Sequence, residues 1–317
     1  MGTQRNLALD RFRGLTMILM VIVNDLRLNV GIPSWLDHAP DIGYTIADVV
    51  LPFFVFFIAA TYRQSFLRRY ELNKRDAYMH FITRYLAILG VGTFHMTIQS
   101  LTYQPGTDWG ALPAIAVAGL LALPMIRCST VTRGVIAAGL LAAFQLASSF
   151  SAGFARLIVG SCENGGLVGG IMWAGMMLLG TVMIDLYHKG LGQFAIGTAV
   201  LAVLAAASLA VVDISKHRVS LSFVLVSVTL ACVVFLGLTL LSNKLLPQTP
   251  GLVCWWGENP LFFYVLHMLL IGVTQGPFFF LGFDRPLAIA LPSTCLLLTV
   301  NSLIAWRMHK KGVRISL

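Results

Sequence analysis

Long apolar runs alternate with short polar connections along the whole chain. Read as candidate spans, the runs fall at roughly 13–30, 44–65, 78–100, 110–126, 134–150, 165–187, 191–212, 219–241, 252–275 and 287–306. A helix needs about 20 predominantly apolar residues to cross some 30 Å of hydrocarbon, and most of these runs meet that length. The fourth is short and the fifth rich in Gly and Ala. The pattern predicts an all-α fold, a polytopic membrane helical bundle of about ten transmembrane helices forming a single domain over residues 1–317. Neither an internal repeat nor a low-complexity segment interrupts it. Basic residues followed by Leu15–Val23 imitate a signal peptide, but no small-residue cleavage site precedes Asn24-Asp25, so an uncleaved first helix is expected.

Composition agrees with the pattern. The chain is 57% hydrophobic and 11% charged, with a mean hydropathy of +0.82, whereas a soluble domain carries about 25% charged residues. The net charge of +9 fits positive cytoplasmic loops better than a nucleic-acid partner. With the N-terminus placed in the cytoplasm, only Arg27, Arg156, Lys216, Arg218 and Arg285 fall on the outer side. Every other Lys and Arg, from Arg5 to Arg314, falls on the inner side. That bias predicts cytoplasmic termini and an even number of spans. Cys128, Cys162, Cys232, Cys254 and Cys295 show no metal-ligand spacing and read as small packing residues, so no metal is expected.

The stretch from Asn24 to Pro52 stands apart, because it places an amide, several carboxylates and an imidazole between two apolar helices. Polar groups at a membrane boundary point to function by default. Asn24 lies about a dozen residues into the first span, some 18 Å up at about 1.5 Å per residue. It reads as an interhelical hydrogen-bonding group or as a donor to a developing oxyanion. His38, in Asp37-His38-Ala39-Pro40-Asp41, reads as a solvated loop histidine or as a base or nucleophile. Asp48 reads as a helix-start carboxylate, as a partner of Arg27 or as the group that orients His38.

Arg11 and Arg13, with the cluster from Arg63 to Arg84, form a basic inner rim that could hold phosphates or merely set topology. His95 and His267 are costly in lipid and should face the bundle interior. Lys216-His217-Arg218 reads as a solvated loop or as the flank of an acceptor site. Gly166-x-x-x-Gly170, followed by Gly175 and Gly180, suits close helix packing.

Leu9-Asp10-Arg11-Phe12-Arg13-Gly14-Leu15-Thr16 with Met20–Asn24, His38-Ala39, and Thr45–Phe56 resembles the opening of the heparan-alpha-glucosaminide N-acetyltransferase family, including its bacterial relatives. Looser agreement follows in Gly165–Gly180, Val219–Phe223 and Gly257-Glu258-Asn259 through His267. Ala116-Val117 departs from the Gln-Arg that many members carry.

The resemblance implies an enzyme that takes an acetyl group from cytoplasmic acetyl-CoA and places it on an amino-sugar acceptor at the outer face. It implies His38 as the catalytic histidine and matches Asn24 to the family's asparagine; on the residues themselves, Asn24 is expected to stabilise the oxyanion and Asp48 to orient the polar groups around it. Arg11, Arg13, Arg84 and His267 would contribute to holding the donor. The expected location is a bacterial inner membrane. The expected partners are the lipid bilayer and a small-molecule acceptor, without nucleic acid, and a homo-oligomer is admissible. An amino-sugar permease without CoA chemistry is the alternative reading of the same polar stretch.

Overall fold

A computed structural model of the chain describes residues 6–27, 29, 31–102, 109–151, 153–155 and 163–315. Arg5, Arg156 and Cys162, which enter the charge and cysteine patterns, lie outside them. The described residues are predominantly helical, with turns and loops and no strand between the helices. The helices are α1 (Leu7–Leu26), α2 (Val50–Leu72), α3 (Lys74–Thr102), α4 (Ala111–Ala122), α5 (Thr130–Phe150), α6 (Gly166–Lys189), α7 (Leu191–Leu209), α8 (Leu221–Lys244), α9 (Leu252–Trp256), α10 (Pro260–Leu281) and α11 (Leu287–Lys310).

Among the described residues, eight helices are long and apolar enough to cross a membrane. The chain is therefore an all-α, multi-pass membrane protein. Each expected span meets a helix. α1 has the length but carries Asp10, Arg11, Arg13 and Asp25, and the apolar stretch Ala111–Met125 is shorter than a usual span.

Two boundaries differ from expectation for identifiable reasons. α1 begins at Leu7 rather than near 13, because the Asn6 side chain accepts from the Leu9 amide at 3.1 Å and caps it. α1 also ends at Leu26, short of the expected 30, so Asn24 sits in its last turn rather than partway along it. The ninth span is broken at Gly257–Asn259, where Pro260 starts α10 and Gly257 ends α9.

The contacts group the chain into two compact units: Met1–His38, Thr45–Val50 and Val233–Leu317 in the first, Ala39–Tyr44 and Leu51–Cys232 in the second. In the first unit α1 packs against α9, α10 and α11. The approach is close enough that a Cβ on Gly14 would lie 1.7 Å from the Val253 carbonyl oxygen. A Cβ on Gly257 would lie 2.8 Å from the Asp10 carbonyl oxygen. Trp256 stacks on Phe263 with ring centroids 5.3 Å apart and donates its indole N–H to Ser302 at 3.2 Å. Asn259 ties the chain end back: its Oδ1 accepts from the Ile315 amide at 2.7 Å and its Nδ2 donates to the Val313 carbonyl at 3.2 Å.

The second unit is built on α6, which packs against α4, α5 and α7. The small residues expected to permit close packing do so. A Cβ on Gly170 would meet Val117 at 2.4 Å, one on Gly175 would meet Leu141 at 2.8 Å, and one on Gly180 would meet Ala59 at 2.8 Å. Arg133, fully buried, bonds Thr181 and Asp185, and Thr130 donates to Asp185 at 2.6 Å. The basic stretch Arg63–Arg84 is carried on helices, since α2 and α3 are parted only by Asn73, whose side chain accepts from the Arg75 and Asp76 amides.

Candidate functional site

Two of the histidine pairs in the first unit involve residues expected at the site. His38 Nδ1 lies 2.8 Å from Asp48 Oδ1. The Asp48 side chain is fully buried, while that of His38 is 24% exposed, so the imidazole meets solvent and the carboxylate does not. Asp48 owes its position to local chain geometry. It is the third residue of the one-turn helix Ile46–Val49 that leads into α2, and it forms a capping box with Thr45. Its Oδ2 accepts from the Thr45 amide and from Thr45 Oγ1, each at 3.1 Å. Thr45 Oγ1 also reaches the Asp37 carbonyl at 2.7 Å, and Asp37 Oδ1 accepts from the His38 amide at 2.8 Å. Both lone-pair faces of Asp48 are therefore used. A carboxylate so fixed accepts a hydrogen bond from His38 Nδ1–H and leaves the Nε2 lone pair as the basic position. Of the readings open for Asp48, the structure supports both the helix-start carboxylate and the orienting group.

Asn24 pairs with the other histidine. Its Nδ2 is 3.0 Å from His267 Nε2, and His267 Nδ1 is 2.9 Å from the Phe263 carbonyl oxygen. A carbonyl only accepts, so Nδ1 carries the proton and Nε2 accepts from the Asn24 amide. Met268 Sδ lies 3.9 Å from the same Asn24 nitrogen. His267 is fully buried and faces the interior, as expected of a histidine in a span. Its ring is bonded to Asn24 and to the Phe263 carbonyl. His95 is half-buried on α3.

A third cluster holds the end of α1. Asp25 is fully buried beside Asn24 and forms an ion pair with Arg285, Nη1 to Oδ1 at 3.0 Å and Nη2 to Oδ2 at 3.4 Å. Thr294 Oγ1 donates to Oδ2 at 2.6 Å. The Asp25 carbonyl, one of the orphan acceptors at a helix end, receives Gln275 Nε2 at 2.8 Å, Asn29 Nδ2 at 2.7 Å and Arg285 Nη1 at 3.3 Å. Sequence reasoning placed Asp25 and Arg285 without joining them. The available signal was electrostatic: a carboxylate inside an apolar helix needs a cation, and few outer cations were at hand.

Neither a protein-family model nor a curated protein matches the chain. The site therefore rests on its geometry.

The basic residues divide. Arg11 is buried, with Nη1 donating to Ser242 Oγ at 2.6 Å and Nη2 to the Pro247 carbonyl. Its guanidinium fastens the end of α8 and is not presented to a ligand. Arg13 Nη1 reaches the Gly257 carbonyl at 3.3 Å and lies 3.9 Å from Asp10. Arg84, half-buried on α3, makes no hydrogen bond or ion pair among the described residues. Ala116 and Val117 are buried on α4, and Val117 fills the space beside Gly170.

The Lys216–Arg218 group is not simply solvated. Lys216 is buried, and Arg218 pairs with Asp41, with Nε 3.2 Å from Oδ1. Arg218 is the main reason the Asp41 carboxyl is held below its ordinary value, with Ser215 Oγ adding a bond at 2.8 Å against the opposing cost of partial burial.

Proposed function

We propose that the chain is a membrane-embedded acetyltransferase that moves an acetyl group from cytoplasmic acetyl-CoA to an amino-sugar acceptor at the outer face. The observation that carries this reading is the solvent-reaching imidazole of His38 held at Nδ1 by the buried Asp48 carboxylate. Such a pair sets the tautomer and stabilises the imidazolium that forms when Nε2 takes a proton. The resemblance of the Leu9–Phe56 region to the heparan-alpha-glucosaminide N-acetyltransferase family supplies the acyl donor and acceptor.

In the one-step route the acceptor amine attacks the thioester carbonyl, the C–S bond breaks and CoA thiolate leaves. His38 Nε2 takes the amine proton and returns it to the thiolate or to water. In the two-step route Nε2 is first acetylated, with loss of CoA thiolate, and the amine then attacks the acetyl-imidazole. Asn24 carries two amide hydrogens. One faces His267 Nε2 and the other is the hydrogen that can be offered to an oxyanion, at the expense of the weak contact with Met268. Arg11 is committed to Ser242 and Pro247 and has no part in holding the donor. Arg84 keeps an uncommitted guanidinium, as a phosphate ligand requires. Cytoplasmic termini and an inner bacterial membrane complete the reading, supported by the distribution of Lys and Arg.

The test is CoA release by the purified chain from acetyl-CoA in the presence of glucosamine. Wild type should release CoA, and His38→Ala should not. Equal release by both removes His38 from the mechanism. Absence of release, together with no thermal stabilisation by CoA, removes the acetyltransferase reading.

A further inference from the structure

The second unit contains a cavity of mixed apolar and polar lining that acetyl transfer at His38 does not use. It lies at the end of α5 and the turn after α7, with a volume of about 240 Å³. Cavities for drug-sized ligands run from about 300 to 1,000 Å³, so this one suits a smaller molecule, on the scale of a monosaccharide. Its polar lining is Gln145, Ser148, Ser149, Asp213, Arg218 and Ser220. The lining is ordered by its own bonds. Gln145 Oε1 accepts from the Leu221 amide at 3.0 Å and its Nε2 donates to Ser149 Oγ at 3.2 Å. Ser220 Oγ accepts from the Ser215 amide at 3.0 Å and lies 2.9 Å from Ser222 Oγ.

Backbone strain is concentrated at its edge. Val219, between the two lining residues Arg218 and Ser220, is fully buried at φ 47°. A β-branched residue rarely occupies the left-handed region, and such outliers collect at functional sites. The strain is imposed by packing. Val219 Cγ2 fits against Gly165 and Gly169, where added Cβ atoms would lie 2.9 and 3.3 Å away, and Gly165 is itself left-handed at φ 73°. This interlock fixes the turn that bears Arg218 and Ser220.

The charges then select a ligand. Arg218 is neutralised by Asp41. Among the described residues the Asp213 carboxylate has no hydrogen bond or ion pair, its only bond being the one its backbone carbonyl accepts from Ser222 Oγ. Among the described residues lining the cavity, the exposed Asp213 is thus the one charged group without a counter-ion, set among hydroxyl and amide groups. We propose that it binds a small hydroxylated ammonium compound, with the ammonium on Asp213 and the hydroxyls on Gln145, Ser149 and Ser220. As a holding site for an acetyl acceptor this rests on the acetyltransferase reading; as a binding site it does not.

The test is binding of glucosamine to the full chain in detergent, followed by calorimetry beside CoA release. Glucose carries the hydroxyls without the charge. Glucosamine should bind wild type at least about tenfold more tightly than glucose and at least about tenfold more tightly than it binds Asp213→Asn. Asp213→Glu should recover part of the affinity, and a thermal melt of Asp213→Asn like that of wild type excludes misfolding. His38→Ala should bind glucosamine as wild type does while losing CoA release. Loss of binding in His38→Ala would place the ligand at the histidine and overturn this site. So would equal binding by wild type and Asp213→Asn, equal binding of glucose and glucosamine, or no binding at all. If wild type releases no CoA yet Asp213→Asn loses glucosamine, the acetyltransferase reading falls and the cavity stands.

Discussion

His38 shares its Nδ1 proton with a carboxylate, whereas His267 gives its own to a backbone carbonyl and takes an amide proton at Nε2. The first arrangement improves when the ring is protonated, because an ion pair with Asp48 results. The second worsens, because a proton on His267 Nε2 would face the N–H of Asn24, and the amide would have to rotate. Burial adds to the contrast. His38 reaches solvent, while His267 has none to share a charge with. His38 thus pairs with a carboxylate at the edge of solvent, whereas the buried His267 is bonded between a backbone carbonyl and the Asn24 amide.

An amide exchange breaks or sharpens this contrast, and it carries the largest expected effect. Glutamine can present Oε1 where an imidazole presents Nε2, but it cannot take a proton. His38→Gln should lower CoA release from acetyl-CoA and glucosamine by about 10²–10⁴-fold, the usual contribution of general acid–base catalysis. His267→Gln, which still offers Asn24 an acceptor, should lower it by less than about tenfold. Similar losses in both variants would show that the two rings are not functionally distinct.

The next effect concerns what holds Asn24 from behind. Asp25→Ala removes the only carboxylate shown on Arg285 and leaves a buried guanidinium without its ion pair. Breaking one side of such a pair costs about 3–5 kcal/mol. Replacing both members, as Asp25→Leu with Arg285→Met, should recover most of that loss, because apolar pairs of similar volume often match buried ion pairs. Denaturant unfolding in detergent measures both. A loss under 1 kcal/mol in Asp25→Ala would show that the pair does not clamp the end of α1.

Helix positions were legible because apolar runs of spanning length have few alternatives in a chain this hydrophobic. Asn24, His38 and Asp48 were legible as a group because they are close in sequence, and the His38–Asp48 bond closes over only ten residues with Thr45 capping between. The partners of Asn24 and Asp25 lie 243 and 260 residues away. No local rule relates such positions; only the need of a carboxylate in an apolar helix for a cation pointed towards Arg285, and nothing pointed from Asn24 to His267. Arg11 shows the opposite failure. Its place among basic residues suggested a phosphate ligand, but composition does not separate an arginine on a rim from one folded inward onto Ser242 and a carbonyl. The break at Gly257–Pro260 was written in the sequence as a Gly and a Pro three residues apart, and was obscured by the apolar residues on both sides.

A smaller effect tests whether the histidine pairs depend on the close approach of α1 and α9. Gly14→Ala would set a Cβ 1.7 Å from the Val253 carbonyl oxygen, a backbone atom that cannot turn aside. Overpacking of this kind costs about 1–3 kcal/mol. Gly90→Ala is the control, since nothing lies within 4 Å of its added Cβ. The two variants should differ in thermal midpoint, with Gly90→Ala at or above wild type. Equal midpoints would mean that α1 and α9 shift apart without cost.

The smallest effect belongs to the carboxylate–cation pair that resembles His38–Asp48 in chemistry but not in burial. Arg218 and Asp41 are 46% and 42% exposed, against a fully buried Asp48. An exposed, salt-screened pair contributes about 0–1 kcal/mol, so Arg218→Gln should cost no more than that at pH 7. The pH dependence has a definite sign. Asp41 is held below its ordinary value of 3.8 chiefly by Arg218, so the pair's contribution is complete above that value and is lost as pH falls through the lower, folded one. Unfolding of wild type and Arg218→Gln compared at pH 7 and under increasing acid should show a gap that closes on acidification and narrows with added salt. A gap that widens in acid would mean that Asp41 is stabilised by something other than Arg218, and the contrast between a buried and an exposed carboxylate would lose its electrostatic basis.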